Sequence, residues 1–190
     1  MNILICGKQA SGKTAVTKAL QDYFSYRGTA CFIYDYLFPL NELHDVIYVV
    51  GKQYGLPEAF KDNALMGCLY NWNPHLCLIA AVKSINEATE RWKELNMFYV
   101  AVVDGVIEPK TLPTFPGFKV YLDCPKKERQ KRLEDPTTSR GESHPLESGF
   151  NDCAVCDIFD LVVDTSKHSP EEVANLIGTQ FLDKMKSVFS

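Results

Sequence analysis

No apolar run in this 190-residue chain reaches the ~18 residues that a membrane-spanning helix needs, so none is expected. Positive charge is not in excess either. Twenty Lys and Arg stand against 24 Asp and Glu, a net charge of −4, so the bulk balance advertises no nucleic-acid partner, although a local basic patch can sit inside an acidic average. A secretory leader is not read: the chain enters a strand-like run, NILIC, at once. Internal repeats, low-complexity tracts and linkers are absent, which leaves one domain over 1–190. Cys153 and Cys156, with His144 and Cys124 nearby in sequence, could be read as a zinc site, but a single C-x-x-C without a second matched pair is a weak signal against ordinary thiols. The seven cysteines are odd in number and scattered, and read as reduced thiols of a cytosolic protein.

What is present is a core: 46% of the residues are hydrophobic. Apolar runs at 2–6, 30–34, 97–104, 119–122 and 161–163 read as five strands. Between them lie helical patterns at 12–26, 40–54, 76–95, 126–133 and 170–188. Leu43, Val46, Ile47 and Val50 form one apolar stripe. Leu78, Val82, Ile85, Trp92 and Leu95 form another, and Val173, Leu176, Ile177, Phe181 and Met185 a third. Strands apolar throughout, alternating with helices, imply an α/β fold in three layers, with a five-stranded parallel sheet covered on both faces. The stretch 111–117 is a Pro-rich loop, and 134–151 is polar and rich in Pro, Ser and Gly.

The most informative stretch is ICGKQASGKTA. Gly7, Gly12, Lys13 and Thr14 stand at the spacing G-x-x-x-x-G-K-[ST], after a strand and at the start of a helix, as a phosphate-binding loop requires. Glycines let the backbone curl until its N–H groups converge on an anion, and the helix N-terminus adds positive potential there. The loop Gly7, Ala10, Ser11, Gly12, Lys13 and Thr14 would then bind ATP, with Lys13 on the β- and γ-phosphates and the Thr14 hydroxyl on Mg²⁺. The run FYVAVVD ends a buried strand on Asp104, which either serves the same metal or caps the turn through Gly105.

A phosphate donor needs an acceptor and a cover. CPKKERQKRLEDPTTSRGESHP, within a mobile lid at about 125–151, offers Arg129, Arg132 and Arg140, whose guanidinium forks suit phosphate oxygens. The alternative is a solvated basic helix. Asp35, just past the second strand, is either a base for a hydroxyl acceptor or a turn cap.

The segments FPLNELHDVIYVVGKQYGLPEAFKD, SRGESHPLESGFND and FDLVVDTSKHSPEEVANLI resemble the phage deoxynucleoside monophosphate kinases. The resemblance covers most of the chain and implies a nucleoside-monophosphate-kinase-like P-loop fold with transfer of the ATP γ-phosphate to a deoxynucleotide. Gly7, Gly12, Lys13 and Thr14 match the ATP loop and Arg129, Arg132 and Arg140 the lid pattern. His144 and Glu147 match an HP-x-E stretch of no assigned role. Two departures bear on the acceptor. Asn63 stands where the pattern has an arginine, and Asp104-Gly-Val-Ile-Glu-Pro has none where a second is expected. A monophosphate acceptor carries nearly two negative charges and calls for such partners. A hydroxyl acceptor needs them less and needs an aspartate more.

This points to the hydroxymethyl group of 5-hydroxymethyluracil in phage DNA, with a free deoxynucleoside monophosphate as the competing acceptor. A non-catalytic nucleotide-binding module and a small-metabolite kinase are the further alternatives. A base taken out of the stack would need a platform, for which Tyr36, Phe38, Tyr70 and Trp72 are candidates if they are not core residues. DNA backbone contacts would fall to Lys61, Lys110, Lys126, Lys127 and Lys131.

Overall fold

In the computed structural model, residues 1–53, 76–95, 97–106, 109–134 and 157–189 are described. Five parallel strands form one sheet in the order β2-β3-β1-β4-β5. They are β1 (Asn2–Cys6), β2 (Ala30–Asp35), β3 (Tyr99–Val106), β4 (Phe118–Asp123) and β5 (Leu161–Asp164). The helices are α1 (Lys13–Tyr26), α2 (Phe38–Gln53), α3 (Leu76–Glu94), α4 (Lys126–Glu134) and α5 (Pro170–Phe189). A 3-10 turn, Pro109–Thr114, occupies most of the stretch read from sequence as a loop.

Successive strand residues point to opposite faces, so a strand buried on both sides must be apolar at every position. Ile3 and Ile5 of β1 and Val100 and Val102 of β3 join Val16, Leu20 and Phe24 of α1 and Val173, Ile177 and Phe181 of α5 in one core. Leu4, Cys6, Ala101 and Val103 face the other way, against Cys77, Ala81 and Ile85 of α3. Each large side chain removed from water contributes about 1.5–3 kcal/mol, which makes these two layers the main stabilising term.

The stripes needed revision in detail. On α2, Leu43 and Ile47 are half-buried while Val46 and Val50 are exposed, because the helix packs on α3 along one narrow line. Leu95 lies past the end of α3, and Leu176 sits at the margin of the α1–α5 contact. Both are exposed rather than inward.

The α1–α5 contact is close because Gly178 is buried against the Tyr23 ring, and a Cβ there would run into that ring, 2.6 Å from Cζ and 2.7 Å from Cδ1. Arg27 stacks on the same ring at 3.5 Å, so the ring has little room to retreat. Gly178→Ala is therefore expected to destabilise the protein by about 2 kcal/mol, overpacking outweighing alanine's better helix propensity. Urea unfolding checks this, and a midpoint at or above wild type would refute it.

Candidate functional site

The loop between β1 and α1 carries three residues at positive φ: Gly7 at 150°, Ala10 at 59° and Gly12 at 93°. Only glycine suits Gly7, since a Cβ would lie 2.6 Å from Ser11 Oγ and 2.7 Å from the Leu122 carbonyl oxygen. Gly12 caps α1 with no side-chain hydrogen bond, and the first turn holds no acidic residue. The helix end thus keeps its N–H donors and its positive potential for an outside anion. Lys13 arches back over the loop, its Nζ donating to the carbonyls of Gly7 (2.8 Å) and Lys8 (2.9 Å).

Beside this loop, the C-terminal ends of β2 and β3 set two carboxylates side by side, with Asp35 paired in register with Asp104. The register between β1 and β3 then slips: Ile5 pairs with Asp104 but Cys6 with Val106. Gly105, at φ 87°, is the extra residue of this bulge. The Thr14 hydroxyl lies beside the Asp104 carboxylate. The Asp104 carboxyl is raised above its ordinary value of 3.8, chiefly by burial and also by Asp35. The Lys13 ammonium, the Gly105 N–H and the Thr14 hydroxyl oppose the rise. Asp104 Oδ1 is buried with no hydrogen-bond partner among the described residues. A buried, unsatisfied carboxylate oxygen next to a hydroxyl is a donor set that fits a hard divalent cation such as Mg²⁺. Asp35 is exposed, and its Oδ1 accepts the Leu37 N–H at 2.9 Å, which closes the turn into α2.

Arg129 and Arg132 of α4 do not stand out as a solvated arm. Arg129 Nη1 donates to the Gln9 carbonyl at 3.4 Å and its Nε to the Cys124 carbonyl at 3.1 Å. Arg132 Nη1 donates to the Ala10 carbonyl at 3.2 Å and its Nη2 to the Thr165 carbonyl at 2.7 Å. Both guanidinium groups thus hold backbone carbonyls of the phosphate loop and of the segments beside it. Tyr36 is fully buried in the α3-facing core and offers no open stacking face, whereas Phe38 is exposed at the start of α2. Cys124 is a buried free thiol. Arg140, Trp72, Tyr70, Lys61, His144, Glu147, Cys153 and Cys156 lie outside the described residues.

Sequence reasoning missed the loop after β5. A cavity of about 260 Å³ opens between Gly12, Ala15 of α1, Arg132 of α4, and Thr165, His168 and Pro170. Asp164 shapes its rim: Oδ1 accepts the Ser166 N–H at 2.9 Å and the Ser166 hydroxyl at 2.6 Å, and Oδ2 pairs with Lys167. The signal in sequence was VDTSKHSP, a strand-end aspartate followed by a polar turn and a helix-starting proline. Its position beside the phosphate loop was not readable there.

The parallel order β2-β3-β1-β4-β5 and the Gly-rich loop between β1 and α1 define an α/β P-loop fold. No protein-family model matches the chain, and no curated protein matches it in sequence. Among solved structures it is similar to the shikimate kinase of Acinetobacter baumannii in complex with shikimate, at 16% identity over 96% of this chain and 93% of that one (TM-score 0.48). It is also similar to a sugar kinase of Janibacter sp., at 14% identity over 96% and 94% (TM-score 0.46). A third is the shikimate kinase of Aquifex aeolicus, at 17% identity over 97% and 98% (TM-score 0.43). Among the described residues, no helix is long and apolar enough to cross a membrane.

Proposed function

We propose that the chain is a P-loop kinase that moves the γ-phosphate of ATP to the hydroxyl of a nucleotide-type acceptor. The acceptor is the hydroxymethyl group of 5-hydroxymethyluracil in DNA. The observation that carries this reading is the in-register pair Asp35 and Asp104 at the sheet edge beside Lys13 and Thr14.

Thr14 and Asp104 would hold Mg²⁺, which when bound neutralises charge on the phosphates. Loop N–H groups and Lys13 bind the triphosphate. The cavity flanked by Gly12, Arg132, Thr165 and His168 receives the base, since it adjoins the loop on the side of α1. Asp35 orients the acceptor hydroxyl. As the hydroxyl oxygen bonds to Pγ, the bond from Pγ to the bridging oxygen breaks, ADP leaves, and the hydroxyl proton passes to the Asp35 carboxylate.

A second reading has its own support. The Asp35 bond to the Leu37 N–H is also what a turn cap makes, and a phosphate acceptor needs no base. A free deoxynucleoside monophosphate would then be the acceptor.

Incubation with γ-labelled ATP and Mg²⁺, offering 5-hydroxymethyluracil DNA and a deoxynucleoside monophosphate mixture in parallel, separates the two. Label in the DNA that drops about 100-fold in Asp35→Asn is expected, the typical weight of a positioned base. Label in a diphosphate, unaltered by Asp35→Asn, would establish the second reading. ATP binding with label in neither would overturn both and leave a binding module or a kinase of another small molecule.

A further inference from the structure

Three successive carbonyls of the phosphate loop are each held from outside the loop. The Gln9 carbonyl accepts from Arg129, the Ala10 carbonyl from Arg132 and the Ser11 carbonyl from Thr165 Oγ1 at 2.8 Å. Thr165 is the best placed of the three. It is 5% exposed, and its backbone N–H already donates to the Asp123 carbonyl at 2.8 Å. Its hydroxyl lies 3.1 Å from that same carbonyl but closer to Ser11, and a hydroxyl has one proton. The proton therefore goes to the Ser11 carbonyl, and the hydroxyl oxygen accepts Arg132 Nη1 at 3.3 Å.

A peptide unit whose carbonyl is fixed outward has its N–H fixed as well, on the opposite edge of the same plane. We infer that Thr165 is a positioning residue for phosphate binding: through the Ser11 carbonyl it fixes the Ser11–Gly12 peptide plane and with it the Gly12 N–H, while Arg129 and Arg132 brace the Gln9 and Ala10 carbonyls of the crown, whose Ser11 N–H is held within the loop by the Lys8 carbonyl at 3.1 Å. Preorganised donors bind without a reorganisation cost, so the hydroxyl acts on phosphate affinity without touching phosphate. This rests on the loop being a triphosphate site, as proposed above.

The probe is inorganic tripolyphosphate with Mg²⁺, measured by calorimetry, beside adenosine measured by saturation-transfer NMR. Thr165→Val keeps the shape of the side chain and the cavity wall but removes the donor. It is expected to weaken tripolyphosphate by about tenfold, the usual worth of a lost buried hydrogen bond, with adenosine affinity within about twofold of wild type. Thr165→Ser should restore the tripolyphosphate affinity, which a residue serving only as packing would not do. The KM for ATP should rise more than kcat falls.

If Thr165→Val does not melt cooperatively, Arg129→Lys carries the test. It keeps the charge but loses the fork that reaches two carbonyls, and should weaken tripolyphosphate as well. Wild-type affinity for tripolyphosphate in a folded Thr165→Val protein, or in Arg129→Lys, overturns the inference and leaves the proposed function standing. A wild-type protein that binds neither tripolyphosphate nor ATP overturns both.

Discussion

Replacing Lys13 by Met is expected to lower phosphoryl transfer by about a thousandfold while leaving the fold intact. Methionine keeps most of the aliphatic stem, so the packing loss is small. What goes is a single cation in the first turn of α1, whose Nζ holds the carbonyls of Gly7 and Lys8. In the proposed reaction the ammonium exchanges those carbonyls for phosphate oxygens whose negative charge grows during transfer. A donor whose contact strengthens in the transition state weighs more on kcat than on binding, and single donors of this kind are worth about 10²–10³. ATP affinity should therefore fall by less than the rate does. Initial rates and calorimetry on the same preparation test this, and a rate within tenfold of wild type would refute the assignment of Lys13.

Asp104→Asn is expected to move stability and activity in opposite directions. The Asp104 carboxyl is raised, mostly because it is buried. Between its unfolded and folded values, the folded state binds more protons than the unfolded state. Stability conferred by that proton is present at low pH and is lost as pH rises through the folded value. Above that window the buried carboxylate is a standing cost. An amide of the same shape can still accept from Thr14 and carries no charge. The Asn variant should therefore melt at or above the wild-type temperature at pH 8, and the gap should close on acidification. Activity should drop by about 10³, because the group that would hold Mg²⁺ has lost its charge, and metal stabilisation of transferring phosphate is worth several kcal/mol. A variant that melts well below wild type at pH 8, or that keeps its rate, would show that Asp104 is a structural cap.

Much of this was legible in sequence because it is local. The five strands were visible as runs apolar on both faces, and each observed strand lies within two residues of its expected ends. The phosphate loop was legible because its spacing, the strand before it and the helix after it lie within a few residues. The pairing of Asp35 with Asp104 was half legible: both were read as strand-end acids, but not that β2 and β3 would be neighbours in register. What periodicity does not carry is the identity of the neighbour. Leu176 and Val46 sit at helical spacing yet face solvent, because the partner helix covers less of the stripe than the pattern suggests. The same limit explains Arg129 and Arg132. Their spacing on one helix face was clear, but that the face would meet the carbonyls of Gln9 and Ala10 depends on how β4 returns the chain to the loop. Thr165 was overlooked for the same reason, since its partner Ser11 is 154 residues away in sequence.

The strand order also has a temporal consequence. β1 precedes the other four strands in chain order, yet it lies between β3 and β4, both near or beyond residue 100. On the ribosome the first strand must wait, unpaired, until more than half of the chain has emerged, and the contact from Ser11 to Thr165 closes later still. Topologies of such high contact order fold slowly and expose apolar edges while they do. The phosphate loop, which directly follows β1, is thus among the last parts to take shape, and a nascent chain arrested before β4 would lack the contacts from Arg129, Arg132 and Thr165 that hold it.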